Sequence, residues 1–111
     1  MKKILIAVLI TIISACSSRI APPGEKGPGL KTAKARKGQE LFMKRCDRCH
    51  PGGMGGVGPS IINKPLPGFL IKTQVRVGFG AMPAFNKKKI SADELKDIVA
   101  YIKEMHQGTK D

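Results

Sequence analysis

Cys46-Asp47-Arg48-Cys49-His50 sets two thiols and an imidazole close together in the chain. Thiols at i and i+3 lie on one side of a helical turn. From there each can add to one vinyl group of a single porphyrin and form a thioether. A histidine directly after the second cysteine can bring its ring beneath the iron. C-x-x-C-H is the spacing of covalent c-type haem attachment. Three other uses of these residues compete. A redox dithiol belongs beside a βαβ pattern, which the flanks lack. A zinc site takes four ligands. Beyond Cys16 the chain has two cysteines and two histidines, and His106 is remote in sequence. A structural disulfide between Cys46 and Cys49 leaves His50 without a task.

The N-terminus reads as an export signal. Lys2 and Lys3 precede an apolar run from Ile4 to Ile13, broken only by Thr11. That run suits a secretory h-region and falls short of the roughly 20 residues a spanning helix needs. It ends in Ile13-Ser14-Ala15-Cys16, which resembles a bacterial lipobox with Cys16 as the lipidated first residue. The competing reading is an ordinary signal peptide with Cys16 incidental. The cysteine count favours the lipobox. A lipid on Cys16 and thioethers on Cys46 and Cys49 leave no free thiol in an oxidising compartment. Haem attachment of this kind takes place outside the cytoplasm, so leader and motif agree. Ser17, in place of an aspartate, favours the outer membrane in a Gram-negative organism. Acyl chains on Cys16 bury roughly 0.8 kcal/mol per CH₂, enough for firm anchoring.

The expected organisation is a lipoprotein signal peptide at 1–15, a lipidated N-terminus with a Pro/Gly-rich tether at 16–31, and a haem domain at 32–111. A tether of this kind spans about 20 Å on average. It lets the domain swing near one membrane face without crossing a periplasm. The domain is small for a stable apolar core and needs a staple. A covalent haem supplies one, and its bulk accounts for a chain with one Tyr and no Trp. The formal charge of +12 becomes +10 once Lys2 and Lys3 leave with the signal peptide. Such a surface steers acidic partners. An exported haem protein rarely meets nucleic acid, so no nucleic-acid partner is expected. There is one haem motif and no internal repeat, which excludes a multihaem wire.

Helical periodicity dominates the domain. Gly38, Phe42 and Cys46 share one face of a first helix from about Ala33 into the motif. Gly38 costs helix propensity, so it points to close approach of another helix. A second helix follows Pro67, with Phe69, Leu70, Ile71, Val75 and Val77 available for burial. Ser91-Ala92-Asp93-Glu94 forms a capping box for the third. There Leu95, Ile98, Val99, Ile102 and Met105 repeat at helical spacing. This helix is expected to cross the first, with Tyr101 or Ile98 over Gly38. His106 reads as a solvent-facing residue at its end. No strand-like alternation is present.

The segment from Lys37 to Met105 resembles a class I monohaem cytochrome c. GQELFMKRCDRCH resembles the family's first helix and haem site, and GVGPSI its Gly-Pro loop. RVGFGAMPAF resembles the approach to the distal methionine, and DIVAYIKEM the C-terminal helix. The glycine-rich PGGMGGVG departs from the pattern and leaves that loop's path open. The resemblance implies an all-α cytochrome c fold, three main helices and loops wrapped around one covalent haem c. It implies that Met82 is the distal ligand opposite His50 and that the Pro59 carbonyl accepts from the His50 ring. Pro83 disfavours helical geometry at Met82, and Gly78 and Gly80 permit close backbone approach to a porphyrin. Met43, Met54, Met105 and His106 are the rival ligands. Arg76 is a candidate haem-propionate contact, or else a plain surface arginine.

The expected function is single-electron transfer by a membrane-tethered cytochrome on the periplasmic side. It would work between acidic redox proteins, without a small-molecule substrate or enzymatic activity. Lys64, Lys72, Arg76 and Lys87-Lys88-Lys89 are the residues expected to frame the haem edge. A haem-bearing relay subunit of a larger membrane oxidoreductase is the alternative. A haem enzyme or ligand sensor would require Met82 off the iron.

Overall fold

The computed structural model describes residues 29–108. The expected signal peptide, the lipidated Cys16 and nearly all of the tether lie outside the described residues. Among the described residues there are three α-helices, α1 (Ala33–Arg45), α2 (Gly68–Val77) and α3 (Ala92–Gly108), with a 3₁₀ turn at Pro51–Gly53. Among the described residues the β structure is one isolated bridge, Phe79 to Met82. The fold of the described residues is all-α, as the sequence led one to expect. Among the described residues no helix is long and apolar enough to cross a membrane.

Local chemistry sets the helix ends. Thr32 caps α1 from an extended conformation, its hydroxyl accepting from the Ala35 N–H at 3.1 Å. Ser91 and Glu94 form the reciprocal box at the start of α3. The Ser91 N–H donates to the Glu94 carboxylate at 2.7 Å, and the Glu94 N–H to the Ser91 hydroxyl at 3.2 Å. Asp93 and Glu94 also place negative charge in the first turn of α3, where the helix dipole favours it.

The core lies mainly between α1 and α3. Ala35, Gly38 and Phe42 form the buried stripe of α1, and Leu95, Ile98, Val99 and Ile102 that of α3. A Cβ on Gly38 would fall on the Asp97 carbonyl and 3.0 Å from the Ile98 nitrogen. The two helices therefore meet backbone to backbone. The α3 atoms nearest Gly38 are backbone atoms of Asp97 and Ile98, and Tyr101 packs instead against Phe42, with ring centroids 5.2 Å apart. Tyr101 is fully buried, and burial pushes its phenol up to about 12. The chain entering α1 is held to the end of α3. The Glu104 carboxylate accepts from the Lys31 N–H at 2.7 Å and the Thr32 hydroxyl at 2.5 Å.

α2 buries less than its sequence offers. Ile71 and Val75, at i and i+4, are buried, whereas Phe69 and Val77 are about 70% exposed, at 72% and 70%. α2 touches α3 along a narrow edge, where a Cβ on Gly68 would come within 3.2 Å of Val99. One edge can cover only one stripe. His106 also differs from its expected place facing solvent. It is half-buried, and its Nδ1 donates to the Ile62 carbonyl at 2.8 Å. The loop before α2 passes beside the end of α3 and offers that acceptor.

Candidate functional site

The cysteine motif begins where α1 stops. The helix ends at Arg45, and Cys46 is its C-cap, its N–H still bonded to the Phe42 carbonyl. The chain then turns sharply. The Cys46 carbonyl accepts from both the Cys49 N–H at 3.1 Å and the His50 N–H at 2.9 Å. The motif thus sits on a turn that continues the helix rather than on the helix itself. Asp47 fixes the next step, its carboxylate accepting from the Gly52 N–H at 2.8 Å. Nothing in the motif's spacing signals that bond. The thiols are not joined in a disulfide. Burial, followed by the charge of Asp47, pushes the Cys46 thiol up to about 11, so it is a neutral group at physiological pH.

His50 is buried, and its Nδ1 donates to the Pro59 carbonyl at 2.8 Å. That bond leaves Nε2 as the free lone pair of a neutral imidazole. The glycine-rich segment brings Pro59 there. The Gly58 N–H donates to the Cys49 carbonyl at 2.9 Å, and the Gly53 carbonyl accepts from the Ile61 N–H at 2.9 Å, closing the loop under the ring. A Cβ on Gly58 would overlap the imidazole. Glycine at that position is therefore what lets the backbone lie against His50.

Met82 sits on a short loop that leaves α2. Gly78 ends the helix with φ 69°, a conformation costly for any residue with a Cβ. A Cβ there would also meet the Met82 carbonyl at 2.6 Å. Phe79 and Met82 exchange backbone bonds of 3.0 and 2.9 Å across a tight turn. The Met82 thioether also has a partner the sequence reading missed, Gln74, whose Nε2 donates to Sδ at 3.9 Å. The available signal was a polar residue on an otherwise apolar face of α2, beside Ile71 and Val75. Arg76 is engaged with the same loop. Its guanidinium donates to the carbonyls of Phe85 at 3.0 Å and Ile90 at 2.7 Å.

These groups line one cavity of about 550 Å³. Cys46, Cys49 and His50 stand in its wall together with Met82, Leu70 and Ile98. Its lining contains no charged side chain, and its size is that of a site for a large apolar ligand. Met82 is the methionine of the lining, while Met43 and Met105 pack against the core and Met54 is exposed. Two thiols, an imidazole with one free nitrogen, a soft thioether and apolar walls fit a covalent haem. Arg76, Lys64, Lys72 and Lys87 to Lys89 do not line the cavity. Among the described residues no group of three or more His, Cys, Asp or Glu could hold a metal ion, which leaves the zinc alternative without a site.

The chain is also similar to several known proteins. Residues 33–102 match the family model described as cytochrome C oxidase, cbb3-type, subunit III. The chain is 33% identical to a cytochrome c6 of Gloeothece citriformis, over 94% of each protein. It is 38% identical over 59% of its length to the 4-cresol dehydrogenase [hydroxylating] cytochrome c subunit of Pseudomonas putida, spanning 57% of that protein. It is 36% identical over 68% of its length to the cytochrome bc1 complex cytochrome c subunit of Corynebacterium diphtheriae, spanning 28% of that protein. No solved structure gives a significant match.

Proposed function

Because the chain belongs to the cytochrome c family, as a small class I c-type cytochrome with one covalent haem c, we propose that it is a lipid-tethered carrier of single electrons with His50 and Met82 as axial ligands. When bound, the haem supplies reversible one-electron chemistry at its iron. Cys46 and Cys49 hold it by thioethers. His50 keeps Nδ1 engaged with Pro59, so its tautomer is fixed and Nε2 remains for the metal. Met82 contributes a soft, neutral thioether of the kind that raises a haem potential. With His50 and Met82 both held to the iron, no position would remain for a substrate, and the chain would act as a carrier rather than an enzyme. The observation that carries this reading is the convergence of His50 and Met82 on one uncharged cavity with the two thiols.

Charge supports an acidic partner. Between residues 48 and 92 the chain has seven Lys and Arg and no Asp or Glu, and this stretch contains both site loops and α2. Such a field speeds encounter with an acidic protein, and added salt screens it. The C-x-x-C-H motif and the leader support export, and Cys16 supports a lipid anchor on the periplasmic side.

The test is an optical spectrum of the matured protein. A weak near-infrared sulfur-to-iron band is expected, and it should vanish in Met82→Ala. High-spin haem that readily takes carbon monoxide would refute six-coordination and favour an enzyme or sensor. A second reading, an electron-relay subunit, is favoured by two relatives, the 4-cresol dehydrogenase cytochrome c subunit and the cytochrome bc1 complex cytochrome c subunit. Purification from native membranes separates the two, since a relay subunit leaves with stoichiometric partner polypeptides and a free carrier leaves alone.

A further inference from the structure

We propose that Arg76 is a positioning residue whose guanidinium clamps the Met82 loop to α2, in place of contacting a haem propionate. This rests on the reading that Met82 is an axial ligand. The loop from Gly78 to Ile90 has no helix and a single bridge, so few bonds hold it. The Phe79–Met82 bridge lies within the loop and does not fix it to the rest of the protein.

The ties that do so converge on the last turn of α2. The Gly78 N–H bonds the Gln74 carbonyl at 2.8 Å, before the turn that carries Met82. After that turn, the Phe85 N–H donates to the Val75 carbonyl at 2.8 Å. Arg76 then grips the other side of the same residue. Nη1 donates to the Phe85 carbonyl at 3.0 Å and to the Ile90 carbonyl at 2.7 Å.

Phe85 is three residues beyond Met82, and Pro83 between them has no N–H with which to tie the chain. Whatever fixes Phe85 therefore limits how far Met82 can swing from the cavity. A charged donor makes a bond roughly twice as strong as a neutral one. A cation in the last turn of a helix also meets a favourable dipole. Arg76 is half-buried, does not line the cavity, and has no acidic residue between 48 and 92 to pair with. Its Nη1 makes both of these bonds to the loop.

The experiment is an imidazole titration of the matured, haem-loaded ferric protein, following loss of the near-infrared band as imidazole displaces the methionine. Arg76→Met keeps the aliphatic stem and removes every donor. Its midpoint should fall about tenfold, the equivalent of about 1.4 kcal/mol. Arg76→Lys keeps a charge and donors and should lie between Arg76→Met and the wild type. That ranking separates positioning from a general loss of packing. An unchanged midpoint in Arg76→Met overturns the proposal, as does a midpoint in Arg76→Lys equal to that of Arg76→Met. A propionate partner would instead alter the pH dependence of the reduction potential and leave the imidazole midpoint alone, which also overturns it. If Arg76→Met does not mature, Arg76→Lys decides alone, and a wild-type midpoint there refutes the clamp. Met82→Ala is the control. A retained band in that variant means that the ligand reading has failed, whatever Arg76 does.

Discussion

Gly38→Ala tests the seam on which the rest of the domain stands. The new methyl would fall on the Asp97 carbonyl, with the Ile98 nitrogen at 3.0 Å, well inside the ordinary contact range that starts at 3.4 Å. Both obstacles are backbone, so no rotamer change relieves them, and α1 must move off α3. Overpacking a tight core costs about 1–3 kcal/mol, and a contact of this kind belongs at the upper end. Opening the seam by roughly 1 Å also forfeits up to half the dispersion energy of the atoms that separate. Against this, exchanging Gly for Ala inside a helix gains about 1 kcal/mol of propensity. The net expectation is a loss of about 1–2 kcal/mol. For a domain of this size that lowers Tm by roughly 5–15 °C. The assay is a far-UV circular dichroism melt of the haem-loaded protein, wild type beside Gly38→Ala. A variant that melts at or above the wild-type temperature would falsify the backbone-to-backbone seam. Propensity would then have won, and the helices would have room between them that the structure does not allow.

Three further outcomes follow from the same geometry. Gly58→Ala drives a methyl into the His50 imidazole, so the ring must leave the Pro59 carbonyl. The expected result is a high-spin fraction in the absorption spectrum of the matured protein, and a fully low-spin variant would count against the argument. Ser91→Ala removes the hydroxyl that accepts from the Glu94 N–H and should cost about 1 kcal/mol. Urea unfolding should show the loss, and Ser91→Thr should restore most of it. Glu104 concerns pH. Its hydrogen bond from Thr32 holds the carboxyl below the ordinary value of 4.5. A carboxylate depressed in the folded state adds stability above its unfolded pKa and loses it as pH falls through the folded value. The stability gap between wild type and Glu104→Gln should therefore be present at neutral pH and close below about pH 4.5. The group is only partly buried and solvent screens it, so the gap is small, and one that widens in acid would reverse the sign of the argument.

Features carried by neighbours in sequence were legible directly, whereas remote contacts were legible only where a residue type marked them, as Gly38 marks the approach of α3. The Ser91–Glu94 box and the stripe through Leu95, Ile98 and Ile102 are local, and they give a start of α3 close to that observed. The cofactor was legible for the same reason, because Cys46, Cys49 and His50 are a contiguous chemical unit. α2 illustrates the limit. Its five apolar residues announce a helix but not which of them are covered, since that depends on how closely α3 approaches. His106 and Ile62 are 44 positions apart, and no local pattern pairs a helix-end imidazole with a loop carbonyl. Arg76 is the same problem in a smaller compass. Its acceptors are backbone carbonyls, which every residue has, so the sequence carries no sign of which will be chosen.

The glycines at 38, 58 and 78 show how these levels join. Each is a place where a methyl group has no room, but the obstacle differs: the backbone of α3, the His50 ring and the Met82 loop. Side chains alone could not position the site with such economy, because a rotamer can yield where a backbone cannot. Gly38 sets the spacing of the helix pair from which the cysteine turn emerges. Gly58 lets the loop press against His50, and Gly78 lets the chain fold back so that Met82 reaches the same cavity. A defect at Gly38 should therefore show first as lost stability with a normal spectrum. A defect at Gly58 or Gly78 should show first in the spectrum, before the helices melt. The order in which the two signals fail distinguishes a scaffold position from a site position in this chain.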